Sequence, residues 1–402
     1  MTTPQRVLVL NAGSSSLKFQ VVDPSSGEAS AKGLIERVGA SGSTISLTVD
    51  GEEHEAKAKV PDQAAALELM RTTLAERGVD LASCGLVAVG HRVVHGGRKL
   101  TEPTVVDRAV LAEIDRAAKL APLHNPANAD GIRNAAKAFP ELPQVAVFDT
   151  AFFSELPPAA STYAIDHRLA EKHAIRRYGF HGTSHEYVSQ EAASFLGRDV
   201  TEIDQIVLHL GNGASASAIR GGLPVDTSMG LTPLEGLVMG TRGGDVDPGV
   251  LLHLHRVAGL DVSALDALLN KKSGVQGIAG ISDFRDLTTA ADEGDEKARL
   301  ALDVYLHRLR KYVGAYLAVL GGADVITFTA GVGENSAVVR AGALKGLERL
   351  GIRIDGRRNK AKSRQARIIS TDSSDVTVLV VPTNEELAIA RQSLAAIHTL
   401  VE

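Results

Sequence analysis

One cysteine, Cys84, in 402 residues excludes an intramolecular disulfide and argues against a cysteine-built metal centre. It agrees with a reducing compartment, and a cytoplasmic location is expected. No Gly-Lys pair occurs, so there is no Walker A loop, and no H-E-x-x-H metal motif is present. Positive charge is not in excess. The net charge is −5, and no basic surface advertises nucleic acid. Long apolar runs are missing too. The first run, 7–10, is too short for a signal peptide. The longest, 312–323, holds Gly314, Gly321 and Gly322 and falls short of the ~20 residues that span a bilayer. What is there is ordinary for a soluble globular protein: 44% hydrophobic and 23% charged residues, in a chain long enough for two domains.

The apolar run Val7-Leu8-Val9-Leu10 reads as a buried strand. Asn11-Ala12-Gly13-Ser14-Ser15-Ser16 then reads as a tight turn, and Leu17, Phe19 and Val21 alternate with Lys18 and Gln20 as a half-buried second strand. The tip of this hairpin offers backbone N–H groups and hydroxyls with little bulk, and Lys18 lies just behind it, a chemistry that suits a phosphate chain. An ordinary hairpin turn would look the same. A second copy favours function. Residues 206–210 form another apolar run, and Gly211-Asn212-Gly213-Ala214-Ser215-Ala216 form another small-residue turn. At a fixed shift Leu10 falls on Leu210, Gly13 on Gly213 and Ser15 on Ser215, which points to duplicated architecture. Gly211 to Ala216 also fits G-x-G-x-x-A, but a short strand ending at Gly221-Gly222 follows where a dinucleotide site needs a helix.

Spacing predicts helices over 62–77, 107–120 (Asp107 as N-cap), 298–320 (closed by Gly321-Gly322) and 385–397. It predicts small strands within 34–60 and strands at 85–90, 145–148, 325–328 and 376–381, with His91 and Arg92 delivered at the end of the first of these last four. A domain change is expected near 150, with Leu156-Pro157-Pro158 as a linker-like break. Residues 225–250 read as a functional loop, too polar for core.

Arg92 stands between His91 and His95, and Arg242 on a glycine-rich loop, so each can meet an anion. Guanidinium groups stabilise the charge spread over a phosphoryl group in flight. The bland alternative is a surface arginine. His181 and His185, like His91 and His95, are four apart, but no local third ligand supports a metal pair, so His181 is expected to hydrogen-bond from a loop with His185 in the following helix. Gly331 follows a strand as a glycine turn against which a nucleoside can pack, or merely starts a helix. Asp149 and Glu385 are the candidates for Mg²⁺, which keeps few carboxylates and several waters. Thr383-Asn384-Glu385-Glu386 also reads as a capping box, with Glu386 reaching back to Thr383 and Glu385 left for the metal.

Together, segments 11–18, 91–97, 177–184, 210–213, 226–248, 282–285, 330–335 and 382–387 resemble the acetate kinase family, in the family's order and across essentially the whole chain. The resemblance implies the duplicated two-domain α/β fold of sugar kinases, heat-shock chaperone ATPases and actin (ribonuclease H-like), with an interdomain cleft. It implies an N-terminal lobe of 1–150 with 386–402, and a C-terminal lobe of 151–385 that binds nucleotide and forms a homodimer. The implied reaction moves the γ-phosphoryl of ATP reversibly onto acetate, giving acetyl phosphate and ADP, with Mg²⁺ or Mn²⁺, on a route to acetyl-CoA.

By the same resemblance, Asn11, Arg92, His124, His181 and Arg242 surround the phosphoryl, with Asp149 among the catalytic groups. Asn11, Asp149 and Glu385 serve the metal. Arg92, Val94, Leu123, Phe180 and Pro233 hold acetate, the four apolar ones around its methyl. Ser14, Ser16 and Lys18 belong to the first phosphate hairpin. His209, Leu210, Gly211, Asn212 and Gly213 run along the phosphates. Asp283, Phe284 and Arg285, with Gly331, Val332, Gly333, Glu334 and Asn335, take the adenosine side. Arg98 departs from the family, where an acidic residue is common, and alters charge at the cleft rim.

The residue chemistry fits independently. A hydroxyl acceptor needs a general base, whereas a carboxylate is already ionised at pH 7 and instead needs cations to offset anion repulsion. Two arginines and one or two histidines in loops meet that need. The nearer rival is a propionate or butyrate kinase on the same frame, since one methylene is a small difference. The other is a non-metabolic ATPase of the same fold, for which no peptide-binding domain is evident.

Overall fold

The computed structural model describes residues 5–399. Contacts divide them into two units. One comprises the described residues up to Ser154 together with those from Asn384 onward, and the other is Glu155–Thr383. The chain thus crosses a few residues from the expected 150 and 385, and Glu385 belongs with the first unit. Leu156 is buried and Pro158 opens a short helix, Pro158–Ser161, so the proline pair starts structure where a linker was expected.

In the first unit β1 (Arg6–Ala12), β2 (Ser16–Val22), β3 (Ala29–Glu36), β4 (Ser43–Val49), β5 (Glu52–Ala58), β6 (Leu86–Val93), β7 (Thr104–Val105) and β8 (Gln144–Phe148) form one sheet. Its order is β5-β4-β3-β2-β1-β6-β8-β7. β1 lies inside the sheet, parallel to β6, which explains why Val7 to Leu10 are apolar without alternation. Leu8, Leu10 and Phe19 pack on one face with Leu67, Met70 and Leu74 of helix Gln63–Glu76. The opposite face carries the C-terminal helix Glu385–His398. A Cβ on Gly90 would lie 2.5 Å from Ser393 Oγ, so glycine there lets that helix settle on β6. Asp107 caps its helix through Val110 N–H, as expected, and Asp62, where the first helix was expected to begin, caps that helix through Ala65 N–H. The second of these ends at Ala117, three residues short of the expectation.

The second unit repeats the plan. β9 (Asp204–Leu210), β10 (Ala214–Arg220), β11 (Leu223–Thr227), β12 (Val325–Thr329), β13 (Arg367–Ile368) and β14 (Thr377–Val380) lie in the order β11-β10-β9-β12-β14-β13. This matches β3-β2-β1-β6-β8-β7 strand for strand. In each, a hairpin and a third antiparallel strand are followed by two parallel strands and a short antiparallel edge. The duplication is one of topology, and the fixed shift does not carry through the turns. Leu10 pairs with Phe19, whereas Leu210 pairs with Ala214. The second turn is tighter because Gly211 N–H closes directly on Gly213 O at 2.9 Å, while the first closes from Gly13 N–H to Ser16 O.

Two further expectations change. His91 and Arg92 lie within β6, not beyond its end. The loop after β11 is not wholly polar surface, because Ser228, Met229, Leu237, Val238 and Met239 are buried. Arg177 makes this affordable by donating Nη1 to the carbonyls of Thr227, Ser228 and Met229 at 3.0–3.3 Å. Among the described residues no helix is long and apolar enough to cross a membrane.

Candidate active site

In the first unit the ends of β6 and β8 bring Arg92 and Asp149 together. Arg92 donates Nε to Asp149 Oδ1 at 2.9 Å and Nη2 to Oδ2 at 2.5 Å, a planar two-bond fork. Glu385 Oε2 lies 3.9 Å from Arg92 Nε. Asp149 is 2% exposed, and burial raises its proton affinity against the pull of Arg92. Burial also opposes the Arg92 charge, but Asp149 and Glu385 together hold its pKa above the ordinary arginine value. The register that pairs Leu10 with His91 carries Asn11 alongside Arg92 on the neighbouring strand.

Two carboxylates around a cation centre form an oxygen-only donor set, which suits a hard ion such as Mg²⁺. Burial of Asp149 adds to that fit, since a nearby divalent charge would offset its desolvation. Among the described residues no group of three or more His, Cys, Asp or Glu gathers for a resident metal. A cation here would therefore take most of its ligands from water and substrate.

The capping-box expectation is corrected. Asn384, not Thr383, is the N-cap of the C-terminal helix, and its Oδ1 accepts from Leu387 N–H at 3.1 Å. Glu386 turns instead to Lys18 on β2 and forms an ion pair. Lys18 is thus already partnered, and Ser14 and Ser16 carry the rest of the hairpin tip. Thr383 belongs to the second unit, where its hydroxyl meets Ser184 Oγ at 2.8 Å.

Sequence reasoning missed Asn125 and Asn128. Asn128 accepts from Val94 N–H and donates to Ala12 O at 2.8 Å, which ties the end of β1 to the residue after β6. Asn125 does the same for His95, accepting from its N–H and donating to its carbonyl at 2.9 Å. The spacing in His124-Asn125-Pro126-Ala127-Asn128 puts both amides on one face of the first helical turn, and that was the available signal. His124 stands at the start of this helix and is exposed, as is Leu123 at 49%, whereas Val94 is buried.

In the second unit His181 caps the helix Gly182–Leu196 with a left-handed backbone, φ 58°. Its Nδ1 meets Ser215 Oγ at 2.9 Å, and its ring stacks on His209 at 4.3 Å. His185, one turn on, meets the same Ser215 Oγ at 2.7 Å through Nε2 and Ser217 Oγ at 2.8 Å through Nδ1. Burial drives the His185 pKa well below 6.5, with His209 adding to the shift, so it is a neutral brace and not a charge.

Arg242 reaches the same place. A Cβ built on Gly213 would lie 2.5 Å from Arg242 Nη2 and 3.6 Å from His181 Cε1. The tip of the second hairpin, His181 and Arg242 are therefore mutual neighbours, and the absence of a side chain at Gly213 is what admits the guanidinium. Arg242 also donates Nη1 to Pro233 O at 2.7 Å. Burial lowers its pKa, with no carboxylate among the causes. A cation with no carboxylate partner among the described residues is poised for an anionic ligand. Phe180, next to His181, is buried.

A cavity of about 980 Å³ opens beside this cluster, lined by Gly211, Asn212, Asp283, Phe284, Arg285, Gly331, Val332 and Asn335 among the expected residues. Ser282, Thr288, Thr289 and Ser336 line it too and were not expected. Thr288 and Thr289 lie one turn beyond Phe284 and Arg285 on helix Phe284–Asp292, so helical spacing could have found them. Asp283 caps that helix and pairs with Arg285 at 2.7 Å, which holds its pKa well below the carboxylate range. His209, Leu210, Gly213, Gly333 and Glu334 are outside the lining. Leu210 packs near Gly333, and Glu334 accepts from Thr383 N–H at 3.2 Å.

Comparison with known proteins adds four findings. Residues 6–391 match the model of the acetokinase family. The chain is 60% identical over 391 residues to the acetate kinase of Leifsonia xyli subsp. xyli, covering 97% of this chain and 98% of that protein. Among solved structures it resembles the acetate kinase of Porphyromonas gingivalis (TM-score 0.92, 43% identity, 98% of this chain and 100% of the other). It also resembles a propionate kinase from Francisella tularensis subsp. tularensis (TM-score 0.92, 39% identity, 97% of this chain and 99% of the other).

Proposed function

Because this chain belongs to the acetokinase family, we propose that it transfers the γ-phosphoryl of ATP reversibly to the carboxylate of acetate, giving acetyl phosphate and ADP. The observation that carries this reading is a half-buried arginine, Arg242, which has no carboxylate partner among the described residues and lies against the Gly213 turn that His181 also faces, beside a cavity of nucleotide size.

The acceptor carboxylate is ionised at neutral pH, so no group need remove a proton. The task is to hold two anions in line and to stabilise the charge on the phosphoryl in flight. Arg242, Arg92, His124 and His181 would supply that charge and the hydrogen bonds, with Asn11 beside Arg92. The fork to Asp149 keeps the Arg92 plane fixed. Ser14, Ser16 and the Gly211–Gly213 turn offer N–H groups and hydroxyls to the phosphates. The wall of Asp283, Phe284 and Gly331 takes the nucleoside. Asp149 and Glu385 would hold Mg²⁺ with Asn11, and the ion would supply charge neutralisation on the phosphates. Val94, Phe180, Pro233 and the more exposed Leu123 would enclose the acetate methyl.

Helices Pro248–Ala258 and Val262–Lys271 contain no buried residue, and Leu252, Val257 and Val262 are 60–81% exposed. Such an apolar pair suits a second copy of this chain. We place the homodimer contact there, and a sedimentation mass of one 42.2 kDa chain would contradict it. A lone thiol and ATP as substrate fit the cytoplasm.

Trapping acyl phosphate with hydroxylamine tests the function. Hydroxamate should form with acetate, less readily with propionate and butyrate. Release of phosphate alone would identify an ATPase, and a propionate optimum would move the chain to the rival substrate.

A further inference from the structure

Arg242 sits on a stretch that belongs to no helix or strand, yet a transferring group must be met by charges held to a fraction of an ångström. The loop 236–245 that carries it closes at its neck. Gly236 N–H donates to Asp245 Oδ1 at 2.8 Å, and Asp245 N–H donates to Gly236 O at 3.0 Å. Gly236 has φ 104°, and a Cβ there would lie 2.5 Å from Ser228 O, so the neck requires glycine. Two side chains of the long helix Glu296–Leu320 grip this neck from outside. Arg308 donates Nη1 to Gly236 O at 2.9 Å and Nη2 to Asp245 O at 3.1 Å. One turn on, the Tyr312 hydroxyl donates to Asp245 Oδ2 at 2.9 Å. Inside the loop, Met239 N–H bonds Arg242 O at 2.9 Å, and Arg242 Nη1 returns to Pro233 O. Side chains of the long helix thus hold the neck, and the neck bounds the loop that carries the guanidinium.

We propose that Asp245, Arg308 and Tyr312 are positioning residues for phosphoryl transfer, which set the location of the Arg242 guanidinium by locking the neck of its loop. The proposal rests on the reading of Arg242 as a catalytic residue. A merely structural clamp would lower stability and leave the reaction of folded enzyme alone. A positioning clamp acts through Arg242 and loses its effect once Arg242 is gone.

A double-variant cycle separates the two, with kcat, both KM values and Tm measured for Asp245→Ala, Tyr312→Phe and Arg242→Ala, and for each clamp variant combined with Arg242→Ala. Asp245→Ala should lower kcat about tenfold and Tyr312→Phe about threefold, with KM for ATP within about twofold of wild type. In the Arg242→Ala background each should cost less than about twofold. The proposal is overturned if the losses recur in full in that background, or if both single variants keep wild-type kcat. Near-wild-type turnover of Arg242→Ala by itself would overturn the reading beneath it instead. Should Asp245→Ala not fold, the Tyr312→Phe cycle, which removes one hydroxyl, carries the test.

Discussion

Arg92 holds Asp149 in a two-bond fork at 2.9 and 2.5 Å, and Asp149 is almost wholly buried. The carboxylate therefore fixes the guanidinium plane, and the guanidinium is what lets the carboxylate remain charged. Breaking a buried pair by removing one partner costs about 3–5 kcal/mol. The Arg92 side chain is 22% exposed, so the lower end applies. Arg92→Ala should lower unfolding stability by about 3 kcal/mol in urea titration, in addition to its effect on turnover. A loss under about 1 kcal/mol would mean that the pair is already solvated.

The three residues at the start of the C-terminal helix should part company. Asn384→Ala removes the observed cap and should cost about 1 kcal/mol. Glu386→Ala breaks a pair whose Lys18 partner is half exposed and should cost less than about 1 kcal/mol. Glu385→Ala should raise the Mg²⁺ concentration needed for half-maximal rate. If Glu386→Ala moved the Mg²⁺ dependence and Glu385→Ala did not, the two roles are reversed.

Substrate length is read at Val94, which is buried next to Asn128. Val94→Ala removes two methyls, and one methylene in an apolar pocket is worth about 1–3 kcal/mol. KM for propionate should fall and KM for acetate should rise, with KM for ATP nearly constant. An unchanged ratio of kcat/KM together with lost stability would make Val94 plain core.

Stability should weaken in mild acid. Burial lowers the His91 pKa to about 4 and takes that of His185 well below 6.5. Both rings are neutral in the fold and bind a proton when unfolded, near pH 6.5. Their contribution is full above about pH 6.5 and is lost as pH falls through the folded values. His91 alone contributes on the order of 3 kcal/mol across that window. Urea unfolding at pH 7 and pH 5 checks the sign, and equal or greater stability at pH 5 would contradict it.

Local chemistry in the chain made much of this legible. Val7 to Leu10 announce a central strand because both faces are covered, and Asp62 and Asp107 announce helix starts because a cap acts within three residues. The Gly211 turn was legible from its composition. Register across the turns was not, since the same small residues permit three- and four-residue closures. Glu386 was misread because its partner, Lys18, is remote in sequence, and a local cap competes for the same carboxylate. Asn125 and Asn128 were missed because their spacing shows only that they share a helix face; their partners, His95 for Asn125 and Val94 with Ala12 of β1 for Asn128, are remote in sequence. Arg308 and Tyr312 look like ordinary polar positions on a long helix until the loop they grip is in view.

On the proposed function, the half-buried Arg242, with no carboxylate partner among the described residues, stabilises the phosphoryl group as it passes to acetate. Measuring kcat for acetyl phosphate formation in Arg242→Ala, with ATP affinity determined separately, tests it most directly. Loss of one such transition-state donor should lower kcat about a hundred- to a thousandfold while ATP affinity changes little. Turnover near wild type, or a loss confined to ATP affinity, would contradict the account.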